Sequence, residues 1–118
     1  MNTEEKLLTY GTQRPFDPNE TMKVLTQDIN IYWSWGVERK ILVVGKESDG
    51  WVKGIIFKVN GFKWKQYVMI TLNFMDYYEV RLLTQNFDVI ETKDHDIMFD
   101  ELVEVIDKLV ETKEKIVL

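Results

Sequence analysis

Apolar and polar residues alternate from Trp51 to Leu83, where two alternating segments meet at Val59-Asn60-Gly61-Phe62 and a third follows. An Asn-Gly pair between such segments predicts a β-hairpin, because both central residues of a type I′ turn need positive φ. A two-residue turn there sets Val59 opposite Phe62, Phe57 opposite Trp64, Ile55 opposite Gln66 and Trp51 opposite Ile70, all on one face. The other face then carries Lys58 beside Lys63, Ile56 beside Lys65, Gly54 beside Tyr67 and Val52 beside Met69. At the next turn, parity puts Val68, Ile70 and Leu72 on one face with Tyr78, Val80 and Leu82. That arrangement requires an odd loop, Phe74-Met75-Asp76, with Asn73 opposite Tyr77.

Upstream, Thr3-Glu4-Glu5 begins a short helix to Tyr10, and Gly11 stands where it would stop. Arg14-Pro15-Phe16-Asp17-Pro18 reads as a loop whose Asp17 caps a second helix with Pro18 at its first position. In that helix Met22, Leu25 and Ile29 keep to one face. Ile31, Trp33, Trp35 and Val37 alternate with Tyr32, Ser34 and Gly36, which predicts a strand. Ile41-Leu42-Val43-Val44 is a short apolar run, expected as a strand covered on both sides for part of its length. Lys46 to Gly50 is a polar turn, and Phe87 to Glu91 a further short strand. Downstream of Asp94-His95-Asp96, residues Phe99, Leu102, Ile106, Leu109 and Val110 mark the apolar stripe of an amphipathic helix. Ile116-Val117-Leu118 has the composition of a last strand.

The order helix, strands, helix implies one α+β domain over residues 1–118. We expect an antiparallel sheet of about five to six strands, with the N-terminal helices and the C-terminal amphipathic helix packed on one face. Composition is compatible with this: 118 residues, 45% hydrophobic, close one core and are too few for two ordinary domains. No run approaches the length of a membrane span, and the N-terminus is acidic where a signal peptide is basic. With no cysteine, the fold rests on burial alone, and a cytoplasmic location is expected.

The net charge of −5 hides an asymmetry. From Arg39 to Lys65 seven basic residues face Glu47 and Asp49, a balance of +5, whereas from Asp76 to Glu114 twelve acidic residues face four basic ones, a balance of −8. Two surfaces therefore invite partners. The basic one centres on Lys58, Lys63 and Lys65, but hairpin parity separates these from Phe57, Phe62 and Trp64. A single-strand nucleic-acid platform needs rings and cations on the same surface. The acidic one is the helix bearing Glu101, Glu104, Asp107 and Glu111, which either is simply solvated or contacts a basic partner in the manner of a nucleic-acid mimic. Phe74 and Met75, at a loop tip, either fold back onto a helix or join a partner-binding patch.

Candidate chemistry is sparse. His95 is the single histidine. Its neighbours Asp94, Asp96 and Asp100 lack the glycine of a calcium loop and a second nitrogen or sulfur ligand for zinc, so Asp94 or Asp96 reads as a helix cap. Ser34 and Ser48 lie in no nucleophile-elbow sequence, and there is no glycine-rich phosphate loop. No catalytic residue, cofactor or metal is expected.

The stretch Val68-Met69-Ile70-Thr71-Leu72-Asn73, followed by Asp76, Tyr78-Glu79-Val80, Val89-Ile90 and the helix after His95, resembles a group of small uncharacterised phage and plasmid proteins. In that group a strand ending in Leu-Asn or Leu-Thr, a turn with Asp, a Tyr-Asp/Glu-Val strand and an amphipathic helix follow one another. The likeness covers the C-terminal half; the tryptophan-rich N-terminal half departs from it. It implies no activity for particular residues. It does imply a mobile-element accessory protein, whose usual work is binding host or viral proteins. The expected function is accordingly a noncatalytic protein-interaction or inhibitor protein. The alternatives are a nucleic-acid-associated protein using residues 39–65 and an enzyme of unknown type.

Overall fold

The structure, a computed structural model, describes residues 3–10, 16–44, 52–73 and 75–111, with the side chains of residues 4, 5 and 94–96 outside that description. Along the chain run α1 (Thr3–Tyr10), α2 (Pro18–Leu25), α3 (Ile29–Ser34), β1 (Arg39–Val44), β2 (Val52–Lys58), β3 (Tyr67–Leu72), β4 (Tyr78–Leu83), β5 (Val89–Ile97) and α4 (Leu102–Val110). The strands form one antiparallel meander in the order β1-β2-β3-β4-β5. The class is the expected α+β, with five strands among the described residues. Gly11, Arg14-Pro15, the Lys46 to Gly50 turn, Trp51, Phe74 and the Ile116-Val117-Leu118 strand lie outside the described residues.

Turn chemistry and parity hold at the β3–β4 hairpin. Val68 faces Leu82, Ile70 faces Val80 and Leu72 faces Tyr78. The Asn73 N–H donates to the Tyr77 carbonyl at 2.9 Å and closes the β3–β4 turn. Asp76 supplies the left-handed residue at φ 65° that such a turn requires. The Asn73 side chain accepts from the N–H groups of Met75 (2.9 Å) and Tyr77 (3.1 Å), so the turn is held from within.

The β2–β3 connection departs from expectation. Phe57 lies opposite Val68, not Trp64, and Ile55 opposite Ile70, not Gln66; each partner is displaced four residues along β3. Residues 59–66 are a long loop, and neither Asn60 nor Gly61 has positive φ. Asn60 instead donates its N–H towards the Trp35 (2.9 Å) and Gly36 (3.0 Å) carbonyls, an interaction that no local turn rule anticipates. The displacement is even, so the assignment of β2 and β3 residues to faces survives. What changes is the company on the second face: Lys58 sits beside Tyr67 and Ile56 beside Met69.

Both faces of the sheet are consequently apolar. Ile55, Phe57, Val68, Ile70, Val80 and Leu82 pack beneath α2, α3 and α4, joined by Leu25, Trp35, Leu102, Ile106 and Val110. On the other face Val43, Ile56, Tyr67, Met69 and Leu83 form a smaller core under Leu7, Leu8 and Tyr10 of α1. The first helix thus lies opposite the rest. Phe87, at φ 63°, stacks on Tyr67 with ring centroids 4.6 Å apart and closes one end of this second core.

The segment read as a strand from Ile31 to Val37 begins in a helix. Asp28 caps α3, accepting from the N–H groups of Asn30 (3.1 Å) and Ile31 (3.3 Å). Trp35 is fully buried whereas Trp33 is 68% exposed, the reverse of two residues sharing a strand face. α2 stops at Leu25 with Thr26 as its C-cap, so Ile29 belongs to α3 and is exposed. β1 is an edge strand with only Val43 buried, not a strand covered on both sides. β5 runs on to Ile97 and takes in residues 94–96, which are strand and not helix caps. Glu101 occupies the N-cap of α4 without a side-chain bond, and Phe99 lies outside that helix, 58% exposed.

Candidate functional site

The loop that carries Lys63 and Lys65 meets the end of the helix that carries the acidic candidates. The loop 59–66 lies against the C-terminal end of α4, whose last carbonyls have no partner within the helix. The N–H groups of Lys63 and Trp64 both donate to the Val110 carbonyl, at 2.7 and 3.2 Å. Lys63 Nζ donates to the Lys108 carbonyl at 3.0 Å. From the helix side, Glu111 Oε2 accepts the Phe62 N–H at 2.7 Å. A cation at a helix C-terminus also opposes the negative end of the helix dipole. Gly61 permits the approach, since a Cβ there would stand 2.4 Å from Val110 Cγ1 and 2.5 Å from the Val110 carbonyl oxygen.

Three of the other candidates are also placed in intramolecular contacts. Lys58 Nζ lies 3.6 Å from Glu38 Oε2, Glu104 lies 3.1 Å from Lys108 Nζ one turn on, and Asp107 accepts the Trp35 indole N–H at 3.1 Å. Lys65 is exposed in the same loop, and Glu101 is exposed at the start of α4. The carboxylates of α4 are therefore not one outward array, because Asp107 and Glu111 are turned to structural bonds. Met75 is 73% exposed at the β3–β4 tip; Phe74 beside it is outside the described residues.

A cleft of about 520 Å³ opens beside that tip. Its walls are Asp17, Glu20, Thr21 and Val24 from α2, Leu72 from β3, Asp76 from the turn, Tyr78 from β4 and Phe99 from the β5–α4 junction. Each part follows from local structure. Asp17 is there because it caps α2, accepting from Asn19 (2.9 Å) and Glu20 (3.3 Å) N–H groups. Asp76 is there because the turn needs a left-handed residue, and Phe99 because Ile97 pairs with Tyr78 and brings the chain to this end of the sheet.

Three carboxylates thus rim an opening that has an exposed aromatic ring on one side, with Met75 and Met98 exposed nearby in sequence. At its base the buried hydroxyls of Thr21 and Tyr78 share a hydrogen bond of 3.1 Å. Burial raises the Tyr78 phenol above its ordinary range; the Thr21 bond opposes this, and the charges of Glu20 and Asp17 add to it. The chemistry on offer is attraction for a cation, contact with an aromatic ring and hydrogen bonding to neutral hydroxyls.

This cleft was not anticipated from the sequence. Asp17 reads there only as a cap, Phe99 as part of a helical stripe, and Asp76 as a turn residue. One signal was present: parity places the Tyr78 hydroxyl on a core face, where it requires a partner. Among the described residues no group of three or more histidine, aspartate or glutamate side chains is gathered to hold a metal. No family model, no curated protein and no solved structure matches this chain.

Proposed function

We propose that this protein is a noncatalytic binding protein that engages a protein partner at the cleft between α2, the β3–β4 turn and the β5–α4 junction. The observation that carries this reading is the exposed Phe99 ring beside Asp17, Glu20 and Asp76. A large exposed aromatic next to a concavity is the usual anchor of an interface, and a carboxylate rim selects the charge of what approaches. The fitting partner segment carries an apolar side chain adjacent to lysine or arginine. Catalysis is not supported by the same groups: burial keeps the Tyr78 phenol protonated, the opposite of what a phenolate base requires. The resemblance of the C-terminal half to phage and plasmid proteins supports a mobile-element accessory role in the cytoplasm. The basic residues 39–65 offer less to nucleic acid than their number suggests, since Lys58 and Lys63 already contact Glu38 and the end of α4.

Selection from a random peptide library tests the reading. Peptides pairing a basic with an apolar residue are expected, binding the wild-type protein and losing affinity at least about tenfold on Phe99→Ser or Glu20→Lys, in line with the loss of an interface anchor. Both positions are exposed, so the fold should persist. Selected peptides indifferent to both substitutions would remove the cleft from consideration. A salt-dependent gel shift with nucleic acid, abolished by charge reversal at Lys58, Lys63 and Lys65, would favour the alternative.

A further inference from the structure

The two edges of the sheet are built differently. β5 carries the charged Glu91 and Lys93 and two register irregularities against β4, the devices that discourage an edge from pairing. β1 has one register shift against β2, between Val43 and Val44, and charges only at its start, Arg39-Lys40; Ile41-Leu42-Val43-Val44 is continuous apolar sequence on an edge with no strand beyond it among the described residues. Leu42 and Val44 are 43% and 48% exposed. Ile41 and Val43 turn to the face covered by α1, and an apolar groove of about 250 Å³ at this edge is lined by Ile41, Leu42, Val43 and Val44 together with Leu7 and Leu8 of α1.

We propose that β1 pairs antiparallel with β1 of a second copy of this chain, about a two-fold axis normal to the sheet, so that two five-stranded sheets become one. The edge is apolar on both faces, so the incoming strand must be apolar on both faces too. β1 is itself such a strand. Charge placement favours the same occupant. With Leu42 opposite its own copy, Ile41 faces Val43 and Lys40 faces Val44, so each Arg39-Lys40 pair meets the apolar end of its neighbour. The two Lys40 residues are then four positions apart along the strands, about 13 Å at the usual rise, beyond the screening length of about 8 Å at physiological salt. Pairing of β1 with β5 of another copy would be head-to-tail and leave edges open at both ends, whereas the two-fold contact closes. None of the residues that line the acidic cleft lies on β1, so this contact and the proposed partner site are independent.

Sedimentation equilibrium and amide hydrogen exchange of the whole chain over a wide concentration range test the inference. The expected result is a monomer–dimer equilibrium that persists at high salt, with exchange protection at residues 39–44 rising with the dimer fraction. Leu42→Lys and Val44→Lys, each at an exposed position, should each abolish the dimer while leaving the far-ultraviolet dichroism unchanged. A Phe99→Ser variant should remain dimeric, which separates this contact from the cleft. A chain that stays monomeric throughout, a dimer that forms without added protection of β1, or a dimer that survives in a folded lysine variant overturns the proposal.

Discussion

The indole nitrogen of Trp35 donates a 3.1 Å hydrogen bond to the carboxylate of Asp107, tying the end of α3 to the middle of α4 across the core. Trp35 is fully buried and fills the space among α3, β2 and α4, its ring edge-on to Tyr32. Trp35→Ala is expected to destabilise by about 3–5 kcal/mol through the cavity and the lost bond. Asp107→Ala, which keeps the ring and removes its acceptor, should lose about 1–2 kcal/mol, and Asp107→Asn less, since an amide oxygen still accepts. Urea unfolding of the three variants checks the order.

Gly61 and Val110 make a second long-range contact whose failure can be read. Gly61→Ala places a methyl against both the Val110 side chain and its carbonyl oxygen. The side chain can yield but the carbonyl cannot, because it accepts from Lys63 and Trp64. A loss of about 1–3 kcal/mol is expected, as for other overpacked sites. The double variant with Val110→Ala should show no full recovery. Restoration to the stability of Val110→Ala alone would show that the backbone approach is not what demands glycine.

The buried Thr21–Tyr78 hydrogen bond predicts coupling and a pH effect. Tyr78→Phe and Thr21→Val each leave one hydroxyl without its partner, at about 1–3 kcal/mol, while the double variant should fall short of the sum. Burial raises Tyr78 and Tyr32 above the ordinary tyrosine range. The folded state therefore holds these protons more tightly than the unfolded chain. The associated stability is complete below about pH 10 and is lost as pH rises through the folded-state values. Tyr78→Phe should flatten that alkaline decline; an unchanged slope in unfolding experiments above pH ~10 would refute the assignment.

Asp28 distinguishes the helical from the extended reading of Ile29–Ser34. As the N-cap of α3, its replacement by alanine should cost about 1 kcal/mol and by asparagine far less. Were the segment a strand, both changes at this exposed position would fall within about 0.5 kcal/mol of wild type. Chemical denaturation of the two variants decides.

Much of the fold is legible locally. The bounds of α1, the Asp17-Pro18 start of α2, the β3–β4 turn and the sharing of one face by Val68, Ile70, Leu72, Tyr78, Val80 and Leu82 all rest on residues within a few positions of one another. Ile31 to Val37 shows how close two periods can run. The apolar positions alternate, but Ile31, Tyr32 and Trp35 are also neighbours on a helix, and a preceding Asp28 able to accept two N–H bonds tips the balance towards it. A cap is a local signal, and the alternation of four apolar residues by itself points the other way.

The working surfaces are of another kind. Alternation and turn chemistry act over two to four residues, so they settle strand parity, helix starts and the class of the domain before any tertiary contact exists. They are silent on what Asn60-Gly61 will meet. The N–H groups of that loop find the carbonyls of Trp35, Gly36 and Val110, up to about fifty positions away, and the free energy of satisfying those carbonyls outweighs a two-residue turn. By the same non-local accounting, the presumed lysine face became a second core under α1. The acidic cleft likewise exists only because a helix cap, a turn residue and the end of β5 arrive at one place.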